Sequence, residues 1–548
     1  MWKFVKWSVA LVAVGAVGWI AFKWYSNRGD ISVRAISLIP DDAIYCITTE
    51  NPVQTWKDIS GSATWQHLQT SAYFASLTAS ANSLDSIIRD NDLLFDLIGS
   101  RSLMVSAHMT GPKQYDYLFV VDLQQASGIK FLNEYISGLS ARDFKVRREK
   151  YLDQDLLTFH NTADNSDLYT AFPGSYLIAS FNKGILTSSI DGYQRDSLEI
   201  KSGFLSVLNE ISQPGLMKLY INYNMLPALV ACYSEAADEY TGRISRALKA
   251  TALNVTIDND MIKASGRTFI NDSVESYIKT LGVSGSGPSE FAEVAPQRTA
   301  FALALGFRSF ADFLGNFENN VQEDVADYKV YRENLRQVEE YLNIDLQKDF
   351  IGWIGDEVVM LEMQSSGQGL DNETALIFKA ENVAKAREGL DHIEKMVRRK
   401  TPVKFKSIDH RGFPVNYVSV KGLFKLLLGK FFAKYDKPYY TIINNFVIFS
   451  DHPQTLESMI DDYLDKAVLS RSDSYRSFRR EFEDESSVFA YINTPVLFKS
   501  LLKLADQNTR GSMRGHEEYI TSFRQIGFQL VPDDGGFRTL MAEKYVAP

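Results

Sequence analysis

A proline-led strand pattern near the start of the chain organises the rest of the sequence. Residues 39–47 read Ile-Pro-Asp-Asp-Ala-Ile-Tyr-Cys-Ile. Pro40 suits the first residue of a strand, and the β-branched and aromatic residues after it suit a pleated, half-buried surface. The pattern returns at residues 295–303, Ala-Pro-Gln-Arg-Thr-Ala-Phe-Ala-Leu, an offset of 295 minus 39, or 256 positions. The pattern therefore indicates an internal duplication.

Further apolar patterns repeat in the same order in the two halves. Their alternation predicts strands joined by Gly- and Pro-containing turns, with helices between some of them. The matched segments are residues 103–109 with 358–363, 117–122 with 374–379, 127–140 with 383–399, 176–180 with 446–450, and 252–269 with 523–545. Tight turns between neighbouring strands permit only antiparallel pairing. The predicted class is α+β, with two tandem homologous units that each contain a largely antiparallel sheet and covering helices, after one N-terminal transmembrane helix.

These patterns divide the chain into three segments. Residues 1–28 are predicted to form a transmembrane signal anchor, residues 38–280 the first α+β unit, and residues 290–548 the second. The segment from Leu281 to Ser289 is rich in Gly and Ser, and this composition is typical of a flexible linker.

The amino terminus has the pattern of a membrane span. Residues 7–22 carry no charge, and with Lys6 and Lys23 snorkelling outward the apolar helix extends from Phe4 to Tyr25. A helix of that length rises about 33 Å, close to the thickness of the hydrocarbon core of a bilayer. The small residues around Ala16 leave a cleaved signal peptide as the alternative. A short N-terminal tail favours translocation of the large domain after the span, so we expect the body outside the cytoplasm.

Charge and cysteine content exclude two classes of protein. The net charge is −10, and setting aside Lys3, Lys6, Lys23 and Arg28 leaves 54 basic against 68 acidic groups, or −14, for the remainder. Nucleic-acid binding needs clustered Lys and Arg, so an acidic body without a basic stripe argues against it. Only two cysteines are present, which excludes a disulfide framework or a cysteine-based zinc site.

Motifs for catalysis, metals or cofactors are absent. The seven histidines have no metal-ligand spacing, and no nucleophile elbow or phosphate loop occurs. We therefore predict no catalytic residue, no metal site and no cofactor.

Two kinds of repeated or paired polar residue bear on this prediction. Three carboxylate pairs, Asp41–Asp42, Asp356–Glu357 and Asp461–Asp462, suit acid–base chemistry in principle, but their counterparts in the other half lose charge, which favours solvated faces. Asn222 and Asn493 recur just before predicted helices, where a cap is favoured over a ligand contact.

The second half contains an insertion within residues 419–438. His160 and Tyr169 enclose 8 residues while the matching Val418 and Tyr439 enclose 20, a gain of 12. The insertion interleaves apolar and lysine side chains, and a bend at Gly429 would bring its apolar faces together. We predict a contact surface for a membrane or a partner, and the alternative is that the segment covers its own domain. The candidate contact residues are Leu423, Phe424, Leu427, Lys430, Phe431, Phe432 and Lys434.

Several of these motifs together resemble a known family. The proline-led strand, the Phe-x-x-x-Gly turn at residues 95–99, the strand at residues 439–443 and the single N-terminal span resemble a family of bacterial membrane-anchored envelope proteins classed as a domain of unknown function. The resemblance implies a single-pass protein of the bacterial inner membrane with its body in the periplasm. It implies no catalytic residue.

The leading functional hypothesis is a noncatalytic envelope protein whose duplicated module binds protein partners or supports envelope assembly. The first alternative is a carrier or sensor of lipid or another apolar ligand, which would need a continuous apolar groove that includes residues 423–432. The second alternative is a hydrolase without a recognisable motif, which would need polar residues converging in a cleft.

Overall fold

The structure of the protein is a computed structural model. It describes residues 33–71, 102–123, 144–162, 165–194, 207, 215–232, 238–258, 260–322, 325–365, 373–400, 407–418, 424, 432, 439–504 and 507–547. The chain divides into two compact units, one ending at Asn271 and the other beginning at Asp272.

The predicted anchor at residues 1–28 lies outside the described residues. Within the ranges that the structure covers, we find no helix with the length and apolar character that crossing a bilayer requires.

The first unit is built on an antiparallel sheet. Its strands are β1 (Ala43–Thr49), β2 (Leu103–Gly111), β3 (Gln114–Asp122), β4 (Phe144–Tyr151), β5 (Gln154–Asn161), β6 (Ser166–Ala171), β7 (Tyr176–Ser180), β8 (Met217–Asn222), β9 (Leu248–Asp258) and β10 (Met261–Ile270). Their spatial order is β4-β5-β6-β7-β3-β2-β1-β8-β9-β10. The strand predicted at residues 39–47 begins at Ala43, because a turn at Asp41 and Asp42 follows Pro40.

The described part of the first unit also contains helices and a 3-10 turn. The helices are α1 (Pro52–Gly61), α2 (Ala63–Leu68), α3 (Lys183–Gln194), α4 (Leu226–Ala231) and α5 (Asp238–Ala247). Helix α3 packs on the 3-10 turn Val33–Leu38, and Ser189 Oγ donates a hydrogen bond of 2.6 Å to the Leu38 carbonyl. The core beneath them joins apolar residues of the turn, the sheet and α3, so most of its stabilisation comes from burial of apolar surface.

The second unit is also built on an antiparallel sheet. Its strands are β12 (Thr299–Gly306), β13 (Ile354–Met363), β14 (Glu373–Ala380), β15 (Ile408–His410), β16 (Phe413–Tyr417), β17 (Tyr439–Ile443), β18 (Phe446–Ser450), β20 (Val488–Asn493), β21 (Phe523–Asp533) and β22 (Gly536–Tyr545), with a two-residue pair formed by β11 (Gly287–Pro288) and β19 (Glu485–Ser486). Their spatial order is β15-β16-β17-β18-β14-β13-β12-β20-β21-β22.

Its helices are α6 (Tyr277–Val283), α7 (Phe310–Gln322), α8 (Val325–Leu342), α9 (Leu346–Asp349), α10 (Val383–Lys400), α11 (Pro453–Leu464), α12 (Asp473–Arg479), α13 (Thr494–Leu504), α14 (Gln507–Gly515) and α15 (Glu517–Ser522). Aromatic residues dominate the core beneath α7 and α9. Phe378 on β14 lies at the centre of this cluster, with the rings of Phe350, Trp353 and Phe449 at centroid distances of 5.8, 6.3 and 5.6 Å.

The α+β class predicted from the sequence is confirmed, and the predicted linker is wrong. Ser276 caps α6, which runs through Leu281 to Val283, and β11 occupies two further residues of the segment. The glycines there have structural roles. Gly285 has a φ of +80° just after the helix, where a left-handed residue satisfies the last carbonyl groups.

Candidate functional site

The described part of the predicted contact surface lies in the core of the second unit. Phe424 is fully buried and Phe432 is 2% exposed. The Phe424 ring lies 5.0 Å from Phe449 and 5.6 Å from Phe378. These two side chains are therefore unavailable to a membrane or to an external ligand, which favours the alternative that the insertion covers its own domain. Leu423, Leu427, Lys430, Phe431 and Lys434 lie outside the described residues.

Three polar residues of the first unit converge in an arrangement that sequence reasoning missed. His108 Nδ1 lies 2.8 Å from Asp42 Oδ1, and His108 Nε2 lies 2.8 Å from Ser106 Oγ. This is the hydrogen-bond order of a serine hydrolase triad. The sequence indicates the Ser106–His108 half of this arrangement, because residues two apart on a strand share a face and both residues lie in the predicted strand that forms β2.

The surroundings of this Ser–His–Asp arrangement are those of a buried polar network. Ser106 is fully buried and His108 is 1% exposed, whereas the Asp42 side chain is 60% exposed. A nucleophile must reach the substrate, and the fully buried Ser106 hydroxyl is inaccessible from solvent. The hydrogen bond with His108 lowers the pKa of Asp42. The arrangement satisfies a buried imidazole and fastens the start of β1 to β2.

Asp461 joins elements of the second unit rather than forming a catalytic pair. Its Oδ1 lies 2.9 Å from His410 Nε2 and 2.8 Å from Arg411 Nη1 at the tip of the β15–β16 hairpin. Hydrogen bonding with Arg411, followed by that with His410, lowers the pKa of Asp461. In the first unit Asp191 on α3 receives a hydrogen bond of 3.0 Å from Tyr151 at the tip of β4. Asp461 and Asp191 occupy matching positions in the two halves, and each carboxylate holds a hairpin tip.

Asp462 belongs to a partly buried ion network centred on Arg298. Arg298 Nε donates to Asp462 Oδ2 at 2.8 Å, Nη1 lies 2.7 Å from Glu373 Oε2, and Nη2 donates to Ser458 Oγ at 2.7 Å. Burial raises the pKa of Asp462, against the opposing effect of Arg298. The network ties β12, β14 and α11 together, which is a structural role.

The cap predicted for Asn222 is confirmed. Its side-chain oxygen accepts a hydrogen bond of 3.2 Å from the Asn224 amide, and its Nδ2 donates to the Ala43 carbonyl at 2.9 Å. Asn222 therefore opens the turn after β8 and also holds the beginning of β1. Asn493 ends β20 immediately before α13.

Two further histidines each pair with one carboxylate. His160 lies 2.8 Å from Asp167, and His392 lies 2.8 Å from Asp349. Within the described ranges no three His, Cys, Asp or Glu side chains gather as a metal site would require.

The strongest candidate for a contact site is a surface groove of the second unit. It has a volume of about 750 Å³ and lies between α7, α8 and α9. Its floor is apolar, with Leu335 8% exposed, Leu346 2% and Ile351 6%. The residues that line it are Leu314, Glu318, Lys329, Arg332, Glu333, Leu335, Arg336, Glu339, Leu346, Gln347 and Ile351. We refer to it as the α7–α9 groove.

The rim of the α7–α9 groove carries six ionisable side chains from α7 and α8. Arg336 is held between Glu333 at 2.7 Å and Glu340 at 2.5 Å. Arg332 lies 3.5 Å from Glu318 across the groove. Lys329 is exposed on the same rim. An apolar floor with a charged rim is the pattern of helix-in-groove recognition, whereas an acyl chain would leave these charges facing apolar surface.

A second groove, of about 770 Å³, lies in the first unit at the ends of β8 and β9 beside α1 and α2. Leu216 and Ile257 are its apolar contributors, and the exposed Asp58 and Asp260 are its charged ones. Both charged residues of this groove are acidic, whereas the α7–α9 groove carries charges of both signs around its buried apolar residues, so we favour the latter.

The architecture defines a class: an α+β protein of two antiparallel-sheet units, with an open groove in the second unit and a Ser–His–Asp arrangement whose serine and histidine are buried in the first. The sequence profile of the family described as "Protein of unknown function (DUF3352)" matches residues 7–417. Because the match spans most of the 548 residues, the chain belongs to this family.

No curated protein matches the chain. A solved structure of TP0453 (crystal form III) aligns over 48% of this chain and 91% of its own, at 9% sequence identity and a TM-score of 0.24. That score does not define a shared fold.

Proposed function

We propose that this chain is a noncatalytic, single-span envelope protein whose extracytoplasmic units bind a protein partner, with the α7–α9 groove as the contact site. The observation that carries the proposal is the groove itself, with its apolar floor and rim of six ionisable side chains. The partner segment that fits is an amphipathic helix with an apolar face and an acidic side chain opposite Lys329. The hydrophobic N-terminal segment supports an inner-membrane anchor, with the body in the periplasm.

We also propose that the two units arose by internal duplication. Their strand orders correspond position by position. The pairing of the first two strands is irregular between Ala43 and Tyr45 in one unit and between Thr299 and Phe301 in the other, which is the same place at the offset of 256. Bulges are retained features of related sheets.

A side-chain hydrogen bond supports the duplication as well. Ser180 Oγ donates to the Tyr117 carbonyl at 2.8 Å, and Ser450 Oγ donates to the Thr374 carbonyl at 2.7 Å. In each unit the serine ends one strand of the sheet and the carbonyl belongs to the strand beside it. Two unrelated units would have no reason to repeat this bond at matching positions.

The burial of Ser106 and His108 supports a noncatalytic role over the hydrolase alternative. A triad serine needs an open approach and an oxyanion hole beside it. The burial of Phe424 and Phe432 weighs against the carrier alternative, because that hypothesis required these rings to line an accessible apolar groove.

Reversal of charge on the groove rim tests the proposal. We expect the full-length anchored protein, crosslinked in intact cells and then purified, to bring down an envelope protein. Lys329→Glu combined with Arg332→Glu should lower its recovery at least about tenfold, because like charges then face each other across the contact. Both side chains are exposed, so the variant should keep its thermal stability.

The matched control is Arg476→Glu on α12, a side chain that is 56% exposed and does not line the groove. It should leave recovery unchanged. Equal recovery of the same partner with the rim variant would exclude the groove as the contact site, and copurified lipid without a protein partner would favour the carrier hypothesis.

A further inference from the structure

A short segment at the start of the second unit lies tightly against its sheet. We call residues 287–294 the strap; it runs from β11 through the 3-10 turn Phe291–Glu293. A Cβ atom on Gly287 would lie 2.5 Å from the Asp356 carbonyl oxygen and 2.7 Å from that of Phe307, so only glycine fits there. Phe291 is fully buried, and its ring lies 6.4 Å from Phe489. Close backbone packing at Gly287 and the buried Phe291 ring therefore both hold the strap against the sheet.

One buried carboxyl group fastens the strap. The two oxygens of Glu357, on β13, each lie 3.1 Å from the Glu290 amide nitrogen, and Oε1 lies 3.4 Å from that of Phe291. These amides begin the 3-10 turn, where backbone donors lack partners within the turn. Glu357 is 1% exposed, so its hydrogen bonds to the strap form in the protein interior.

The groups facing Glu357 carry an excess of acid. The strap brings Glu290, β13 brings Asp356, β14 brings Lys379 and α12 brings Tyr475. Lys379 Nζ lies 2.8 Å from Glu290 Oε2 and 3.0 Å from Asp356 Oδ1. Lys379 is therefore ion-paired with Glu290 and Asp356, and Glu357 is a third carboxyl group within reach of its charge.

Tyr475 and Arg479 on α12 add no further acid to this group. Burial raises the pKa of Tyr475, which keeps the phenol neutral. Arg479 donates to the carbonyl oxygens of Phe482 and Asp484, both at 3.2 Å. Burial raises the pKa of Glu357 to about 8, against the opposing effects of the hydrogen bonds from the Glu290 and Phe291 amides and of the nearby Lys379 ammonium group.

We propose that Glu357 and the strap form a proton-linked latch: the strap stays fastened while the Glu357 carboxyl group holds its proton and opens more readily once that proton is lost. Opening the strap brings Glu357 into water, where its carboxyl group ionises near its ordinary pKa of about 4.3. Between that value and about 8 the closed form binds more protons than the open form. The opening constant therefore rises with pH, by about tenfold per pH unit, and levels off above that window.

Hydrogen exchange of the full chain tests the latch. Peptides containing the Glu290 and Phe291 amides are followed from pH 5 to pH 8, with the rates corrected for the base-catalysed exchange of an unstructured chain. We expect the wild-type protection factor to fall by nearly tenfold per pH unit. Glu357→Gln keeps an acceptor but does not titrate, so its protection factor should be constant.

Glu373→Gln provides the matched control, because Glu373 is also buried (3% exposed) but belongs to the Arg298 network. In this variant the protection of the strap should depend on pH as in the wild type. Constant wild-type protection, or an equal fall in Glu357→Gln, would overturn the latch. If Glu357→Gln does not fold, the wild type alone decides. A fall confined to the strap supports the latch, and an equal fall in the β17–β18 hairpin shows a general loss of stability and refutes it.

Discussion

Replacing Arg298 with methionine is expected to lower the free energy of unfolding of the second unit by about 3–5 kcal/mol. The guanidinium group contacts Asp462, Glu373 and Ser458 and also donates to the Gln364 carbonyl. Glu373 is 3% exposed. Without the arginine, this buried carboxylate would lose its ion pair with the guanidinium group, and the loss of that pairing in the protein interior is the source of the cost. Urea unfolding followed by hydrogen exchange in β14 measures the change.

The double variant Arg298→Met with Glu373→Met separates the loss of the ion pair from the loss of packing. Replacing both partners of a buried pair with apolar residues is often close to neutral. We therefore expect the double variant to recover most of the loss. A single variant that loses less than about 1 kcal/mol, the range typical of exposed pairs, would show that the network contributes little to stability.

Replacing Phe424 with alanine is expected to cost about 3–5 kcal/mol, the range for large-to-small changes at buried phenylalanines. The ring is fully buried and lies within 6.1 Å of Phe350, Phe378 and Phe449, measured between centroids. Its loss would leave a cavity in the aromatic core. The same urea experiment measures the effect.

Phe424→Leu is the matched control for cavity size and should cost less than the alanine variant, because more of the volume stays filled. A Phe424→Ala protein of unchanged stability would contradict the structural role of the insertion. It would return the ring to the contact surface predicted from the sequence.

The sequence predicts strands and helices well where the apolar pattern is continuous or regular over a whole element. The segments at residues 176–180 and 446–450 coincide with β7 and β18 in full, because continuous apolar runs of that length fit strands buried on both faces. The helix predicted at residues 383–399 is α10 with one more residue, Val383–Lys400. In these places local pattern and tertiary environment agree.

The predicted linker shows why composition alone misleads. Gly and Ser at residues 281–289 suggest flexibility, yet Leu281 is 3% exposed, Gly285 ends a helix and Gly287 allows the strap to approach the sheet. Glycine permits close packing as readily as it permits motion. Only the tertiary neighbours distinguish the two.

The polar sites depend on contacts between residues far apart in sequence. Asp42 and His108 are separated by 66 positions, and Glu357 and Glu290 by 67. Each carboxylate is visible in the sequence as one of an adjacent acidic pair, but its partner is fixed by strand register. The α7–α9 groove likewise arises from three helices whose packing no single stretch of sequence specifies.

Site-specific photocrosslinking in intact cells tests the proposed function most directly. A photoreactive amino acid is placed in the full-length protein at Lys329 or Gln347, which are exposed residues lining the α7–α9 groove, and at Arg476 as the control. We predict one adduct of the same discrete mass from both groove positions and none from the control. Equal labelling from all three positions, or no adduct from the groove while the anchored protein is present at its normal level, would contradict a partner-binding role for the groove.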